Sequence, residues 1–508
     1  MSLFRTRPSH KILFVAPEAA PFSKAGGLGE VMFALPRALR KIGYDARVMI
    51  PRYASIEPEK FRLATELDGL VVPTGAEGDE EPKELICNIK KFVPDGANGK
   101  NGKNGRSSVP AYFLENEEYY EKRSNIYGYE DDAVRWALLC RGVLEFVRVS
   151  EDWIPDVIVA SDWQTGFLLS DLHTRYKADE RLRKIATVFM VHNLSYQGNF
   201  DHRFIAEMDF DDGHSPVPPF FNPRLFKING MRRGIMHADV VTTVSPTYAR
   251  EIMTVQFGEL LDDLLRERRS RVYGVLNGID YDEFDPATDQ YLEEHYDRES
   301  LDRRAENKKE LQARFGLEEN PKTFLLSVVS RLTEQKGFDL LFSVADALVK
   351  ELNLQLVVQG AGESKYMGFF KELENRYPGR VGTNLAFDPV LPRLVYAGAD
   401  AILIPSKFEP AGLTQIEAMR YGAVPIVRRT GGLADTVDEQ SGFSFKDFDS
   451  LAMMVAVTRA YETYRHPAVW RAMQKRAMEN DFSWVKSANE YARIVTLALA
   501  FRQKEINK

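Results

Sequence analysis

Cysteine is nearly missing from this 508-residue chain, which has two, Cys87 and Cys140. No CxxC or Cys/His pattern joins them, so the sequence predicts no metal site of the zinc kind, and the scarcity fits a reducing compartment. Long apolar runs are also lacking: no stretch of about 18 apolar residues occurs, and no membrane-spanning helix is expected. An excess of positive charge is lacking too. The formal net charge is −7, which argues against a nucleic-acid partner, because duplex binding rests on broad phosphate neutralisation by Lys and Arg. A local basic pocket for a small phosphate ligand stays open. The first residues, MSLFRTRPSH, have no apolar signal-peptide core and run straight into an apparent strand. The expectation is a cytoplasmic protein with no membrane partner.

What is present is ordinary for a folded chain with a large core: 44% hydrophobic and 28% charged residues. The length suggests two or three domains. Short β-branched or apolar runs recur, each followed by a turn and then by helical periodicity. ILFVAP (12–17), DVIVAS (156–161), ATVFMVH (186–192) and DVVTTVS (239–245) lie in the first half. TFLLSVVS (323–330), LQLVVQG (354–360), AILIPS (401–406) and AVPIVR (423–428) lie in the second. Such runs read as strands buried on both faces, and their alternation with helices implies parallel sheets with right-handed crossovers. In VSPTYARE, Ser245 is placed to cap a helix with Pro246 at its first position. Pro36 marks a candidate kink in the helix after GGLGE.

The predicted fold is therefore α/β, with two doubly wound Rossmann-like domains and a cleft between them. Residues 1–285 are assigned to the first domain and 286–484 to the second. The helical stretch 485–508 is expected to pack back on the first. The Gly/Asn/Lys-rich segment 95–108 reads as a surface loop or hairpin tip.

In open parallel sheets ligands bind beyond the carboxyl ends of the strands. The residues just after each run are thus the candidates. After ILFVAP comes FSKAGGLGEV, where Gly26, Gly27 and Gly29 allow close backbone approach and the following helix offers N–H groups to an anion, with Lys24 adding charge. A tight turn with a solvated lysine explains the same residues equally well. Asp162 follows the second run, and His192 and Asn193 follow the third. A lone histidine at a strand end is more often structural than catalytic. After TFLLSVVS come Arg331 and Lys336, two cations suited to a diphosphate, or plain surface charge. The stretch IPSKFEPAGLTQIEAMRYG carries Glu409 and, eight positions on, Glu417, around Gly412, Leu413 and Thr414. After AVPIVR come Gly431 and Gly432. Cations for phosphate, carboxylates for hydroxyls and no metal cluster suit a nucleotide-sugar site.

Seven stretches carry a resemblance: KAGGLGEV, VHNLSYQG, GIMHADVVTTVSPTYAREI, LNGIDYDEFDPATD, SRLTEQKGFDLL, SKFEPAGLTQIEAMRYG and PIVRRTGGLADTV. In that order they resemble bacterial glycogen (starch) synthases, retaining glucosyltransferases of the two-Rossmann-domain GT-B architecture. The resemblance implies transfer of glucose from ADP-glucose to the non-reducing end of an α-1,4-glucan, with no cofactor and no metal. It implies donor binding by Lys24 and diphosphate binding by Arg331 and Lys336. His192 would sit at the reacting centre and Asp162 in the acceptor-side wall. Glu409 would contact the donor glucose and Glu417 would lie near the ribose.

Three positions depart from the common pattern. Ala411 stands where many members have cysteine, Gln164 where a histidine is usual, and Leu260 where a glycine is expected after Glu259. The rival expectations are a related transferase using UDP-glucose or another acceptor, a phosphorylase carrying pyridoxal phosphate, and a glucan-binding protein without activity. Tyr127 and Tyr129 are read either as stacking platforms for a ligand or as rim packing.

Overall fold

A computed structural model describes residues 10–78, 81–94 and 109–508; the whole 95–108 segment read above as a loop lies outside them. The chain divides into two compact units. Unit 1 comprises residues 1–244, 249–275 and 484–508, and unit 2 comprises 245–248 and 276–483. Residues 276–285, assigned above to the first domain, thus belong to unit 2, and the last helix, Trp484–Ile506, belongs to unit 1.

Unit 1 is built on a nine-stranded sheet in the order β3-β4-β5-β2-β1-β6-β7-β8-β9. Its strands are β1 Lys11–Val15, β2 Asp45–Pro51, β3 Ala64–Pro73, β4 Glu84–Phe92, β5 Ala111–Glu115, β6 Val157–Ser161, β7 Ala186–Val191, β8 Val240–Thr243 and β9 Val272–Gly274. From β5 to β9 every pairing is parallel. The expectation of purely parallel sheets fails at one edge, where β3, β4 and β5 pair antiparallel. The reason is visible in composition. β3 is largely exposed, and β4 mixes apolar residues with Lys90 and Lys91, a pattern that suits a half-solvated edge ribbon rather than a strand covered on both faces.

Unit 2 has a six-stranded, all-parallel sheet in the order β12-β11-β10-β13-β14-β15. The strands are β10 Leu325–Val329, β11 Gln355–Gln359, β12 Val381–Asn384, β13 Ala401–Ile404, β14 Val424–Arg428 and β15 Phe443–Phe445. Numbered from its own first strand the order is 3-2-1-4-5-6, the doubly wound order whose switch point lies between the first and fourth strands. Those are β10 and β13, and the segments leaving them carry Arg331–Lys336 and Pro405–Glu409. In unit 1 the corresponding reversal lies between β1 and β6, followed by the Lys24 loop and by Asp162.

The last helix is held to unit 1 by a buried ion pair. Arg502 donates to Asp239 Oδ2 at 2.8 Å and 3.0 Å and lies 2.9 Å from His173 Nε2. Burial, and the Arg502 charge after it, push His173 down to about 3, so the imidazole beside the guanidinium stays neutral. Pro36 lies inside the helix Gly27–Lys41, which continues through it.

Candidate active site

In unit 1 the loop after β1 presents fewer N–H groups to an external anion than expected. Glu18, a buried acid three residues past the strand, takes three of them. Its carboxylate accepts from the backbone of Ala25, from Gly26 at 3.3 Å and from Gly29 at 3.2 Å. The start of the helix is thus neutralised by the protein's own acid. Lys24 pairs with Glu30 one turn into that helix and remains exposed. A Cβ on Gly27 would meet nothing within 4 Å, and one on Gly26 only Glu18 at 3.7 Å. The space over both glycines is open to a ligand.

Asp162 sits directly after β6 with φ 57° and ψ −178°, a region that a residue with a side chain occupies at a cost of about 1–3 kcal/mol. The strain turns its carboxylate toward the next strand end, where Oδ1 accepts the His192 backbone N–H at 2.7 Å. Burial, partly offset by His192, holds the Asp162 carboxyl above its ordinary value. His192 Nε2 is buried and has no partner among the described residues. Asn193 closes a local turn, its Oδ1 accepting from Ser195 N–H at 3.1 Å.

Tyr127 packs against Trp136 at 5.9 Å between ring centres. Burial raises its hydroxyl, and the nearby charges of Glu18 and Asp162 raise it further, so it borders both. Tyr129 accepts from Asn125 N–H at 2.9 Å and has Arg135 4.8 Å over its ring.

Leu260 stands with φ 65° beside Glu259 at φ 49°. The missing glycine leaves a leucine in the left-handed conformation, 68% exposed. Glu259 binds the loop that follows His192: it accepts from Ser195 Oγ at 3.2 Å, from Gln197 Nε2 through its carbonyl at 2.7 Å, and lies 3.3 Å from His202 Nε2. The sequence reading attached no role to Glu259.

In unit 2 the two switch-point loops are tied together. Lys407 N–H donates to Gln335 O at 2.8 Å, and Gln335 Nε2 donates to Phe408 O at 3.2 Å. A Cβ on Gly337 (φ 73°) would come within 2.1 Å of Pro405 O, so this contact requires glycine. Lys336 Nζ then lies 2.6 Å from Glu409 Oε2, which also accepts from Ser406 Oγ at 2.8 Å. Lys336 and Arg331 were expected to bind a diphosphate together. Of the two, Arg331 makes no ion pair with a described residue, whereas Lys336 pairs with Glu409. Lys336 has one of its three donors committed, leaving two, and Glu409 keeps Oε1 free of described partners. With Gly412, Leu413 and Thr414 these two residues line one pocket.

Glu417 lies in the first turn of the helix Thr414–Arg420, where its Oε2 accepts from Tyr396 OH at 3.0 Å. No side chain caps the start of that helix at Leu413. Gly431 and Gly432 are packed against the loop that bears Glu409. A Cβ on Gly431 would stand 1.9 Å from Glu409 O, and one on Gly432 1.6 Å from Ala411 O. They are glycines so that the loop bearing Glu409 can lie directly on their backbone. Ser245 caps Tyr248 N–H at 3.1 Å as expected, and its Oγ also donates to Pro410 O at 2.7 Å.

Residues 11–267 match the family model described as the starch synthase catalytic domain, and residues 308–477 match that of glycosyl transferases group 1. The chain belongs to the starch and glycogen synthase family of glycosyltransferases. The enzyme is 40% identical over 492 residues to a glycogen synthase of Geobacillus stearothermophilus, covering 95% of this chain and 96% of the relative. It is 39% identical over 495 residues to one of Clostridium novyi, covering 95% and 98%. Among solved structures it resembles the catalytic domain of starch synthase IV from Arabidopsis thaliana, bound to ADP and acarbose, with a TM-score of 0.79, 28% identity, and coverage of 97% and 100%. The architecture is GT-B, as expected. No described helix is long and apolar enough to cross a membrane, and no group of metal-ligating side chains occurs among the described residues.

Proposed function

We propose that the enzyme transfers glucose from ADP-glucose to the 4-hydroxyl at the non-reducing end of an α-1,4-glucan, with the α configuration retained. The observation that carries this reading is the Lys336–Glu409 pair at the unit 2 switch point, with the unpaired Arg331 on the neighbouring loop. Arg331 and the two uncommitted donors of Lys336 bind the diphosphate, and their charge stabilises it as it departs. Glu409 Oε1 accepts from a hydroxyl of the donor glucose. Glu417, held by Tyr396, is assigned to the ribose, and Gly412, Leu413 and Thr414 to the phosphates. In unit 1, Lys24, Gly26 and Gly27 serve the donor. His192 Nε2 meets a sugar hydroxyl at the reacting centre, and Asp162 fixes the His192 backbone and lines the acceptor side, with Asn193 beside it.

The bond between the anomeric carbon and the diphosphate oxygen breaks. The acceptor oxygen bonds to the same face of that carbon, and its proton passes to the leaving diphosphate. Glu409 is engaged by Lys336 and Ser406, which suits a fixed hydrogen-bond acceptor better than a nucleophile. A glucosyl adduct trapped on Glu409 or Asp162 would replace this route by double displacement.

The deciding experiment is a donor panel with glycogen as acceptor, reading nucleoside diphosphate release for wild type, Glu409→Ala and Lys24→Ala. ADP-glucose is expected to be used best, with both variants impaired. Preference for UDP-glucose would favour the related transferase, and no release from any nucleotide sugar would favour a glucan-binding protein.

A further inference from the structure

Unit 2 contains a second cavity, of about 480 Å³, that the transfer reaction does not use. It lies at the opposite, amino end of the strands. Lys322 and Asp400 line it just before β10 and β13 begin, whereas Arg331 and Glu409 follow the ends of those strands.

Its chemistry is lopsided toward hydrogen-bond donors. Arg304 is 7% exposed and lines the cavity, yet makes no ion pair with any described residue. Its guanidinium donates to the carbonyls of Tyr396 at 3.1 Å and Ala399 at 2.7 Å. Those contacts leave the charge uncompensated, and Nε is buried without a partner. Trp470, 4% exposed, also lines the cavity, and its indole N–H is buried with no acceptor. Lys322 is exposed at the rim and pairs with no described acid. Both carboxylates of the lining are already engaged, Asp400 by Lys308 at 2.6 Å and Asp302 by Arg471. A buried cation without a counter-ion is costly, and so is a buried donor without an acceptor. Tyr464 and Trp470 meet edge to face at 5.5 Å and add an apolar corner.

We propose that this cavity is a binding site for a small phosphorylated metabolite, a sugar phosphate or a nucleotide. The phosphate is held by Arg304, Lys322 and the Trp470 indole, and the body of the ligand packs on the Tyr464 and Trp470 rings. Arginine suits phosphate oxygens through its planar donor set, and the size of the cavity is that of a small-molecule site.

The test uses the full chain with Lys336→Ala, which weakens the donor site, titrated by calorimetry with inorganic phosphate, glucose 1-phosphate and AMP. At least one of the three is expected to bind at one site per chain. Lys322→Glu and Trp470→Phe, each added to that background, are expected to weaken it about tenfold, the scale of one hydrogen bond to a charged group. Tighter binding of glucose 1-phosphate or of AMP than of inorganic phosphate identifies the body the rings accept. In the otherwise wild-type chain the same two substitutions should leave glucosyl transfer intact, which shows that the chain still folds. Absence of binding by all three probes overturns the proposal, and so does unchanged affinity in either substituted chain.

Discussion

Lys336 and Glu409 lie 73 positions apart in sequence and meet at 2.6 Å because β10 and β13 are neighbours in the sheet. One carboxylate oxygen orients the ammonium, and the other stays free of described partners. Lys336→Ala and Glu409→Ala are each expected to lower kcat/KM about a hundredfold, the scale seen when one preorganised electrostatic group is removed. Because the residues touch, the double substitution should cost less than the two single losses combined. A double-mutant cycle on ADP release checks this. Fully additive losses would separate the two roles.

Asp162 carries a proton more readily in the folded chain than in the unfolded one, since burial raises its carboxyl. A raised carboxyl gives stability that is complete below the unfolded value, about 3.9, and that is lost as pH rises through the folded value. The ionised group therefore costs stability at neutral pH. Asp162→Asn keeps an oxygen for the His192 N–H. It should raise the unfolding free energy at pH 7, with the gain shrinking toward pH 3–4, about the unfolded carboxylate range, while transfer falls by about tenfold or more. Denaturant melts across pH, beside activity at pH 7, test both halves.

Glu259 behaves oppositely. The His202 hydrogen bond holds its carboxyl below the ordinary value. A lowered carboxyl gives stability that is present above the unfolded value and lost as pH falls through the folded one. Wild type should exceed Glu259→Gln by about 0.5 kcal/mol above roughly pH 5, a modest figure for a partly exposed group. The difference should vanish under more acidic conditions. A pH-independent difference would mean that the charge is not what matters.

Gly432→Ala puts a methyl group 1.6 Å from Ala411 O. The loop bearing Glu409 must move, so a loss of about 1–3 kcal/mol in stability is expected, together with a fall in kcat. Thermal unfolding and steady-state kinetics measure the pair. Normal kinetics would show that the loop tolerates the shift.

Leu260→Gly removes a left-handed leucine that is 68% exposed. Relief of about 1–2 kcal/mol of strain outweighs the roughly 0.5–1 kcal/mol entropic cost of glycine. The melting temperature should rise slightly. A fall would mean that Leu260 makes contacts worth more than its strain.

Much of the site was legible because chemistry after a parallel strand has to sit at its carboxyl end. Asp162, His192, Arg331, Lys336 and Glu409 were all named as candidates from that rule together with the resemblance. Glu18 was within reach of the same rule, three residues past β1, but an acid near glycines reads as solvated until its N–H partners are known. Glu259 gave no signal except the absence of a glycine after it. The antiparallel edge of β3 and β4 was hidden by its charged, half-exposed pattern.

The sequence by itself determined which residues stand at strand ends, because buried parallel strands demand continuous apolar runs and the turns after them collect glycine and charge. It also determined the family, through seven stretches in fixed order. Only the tertiary structure decided which charges remain free. Glu18 takes three N–H groups of the stretch expected to bind an anion, Glu409 takes one donor of Lys336, and Gly431 and Gly432 pack against the loop bearing Glu409. Pairing depends on distances across neighbouring strands and on backbones in contact, and the linear order of residues does not encode those distances locally.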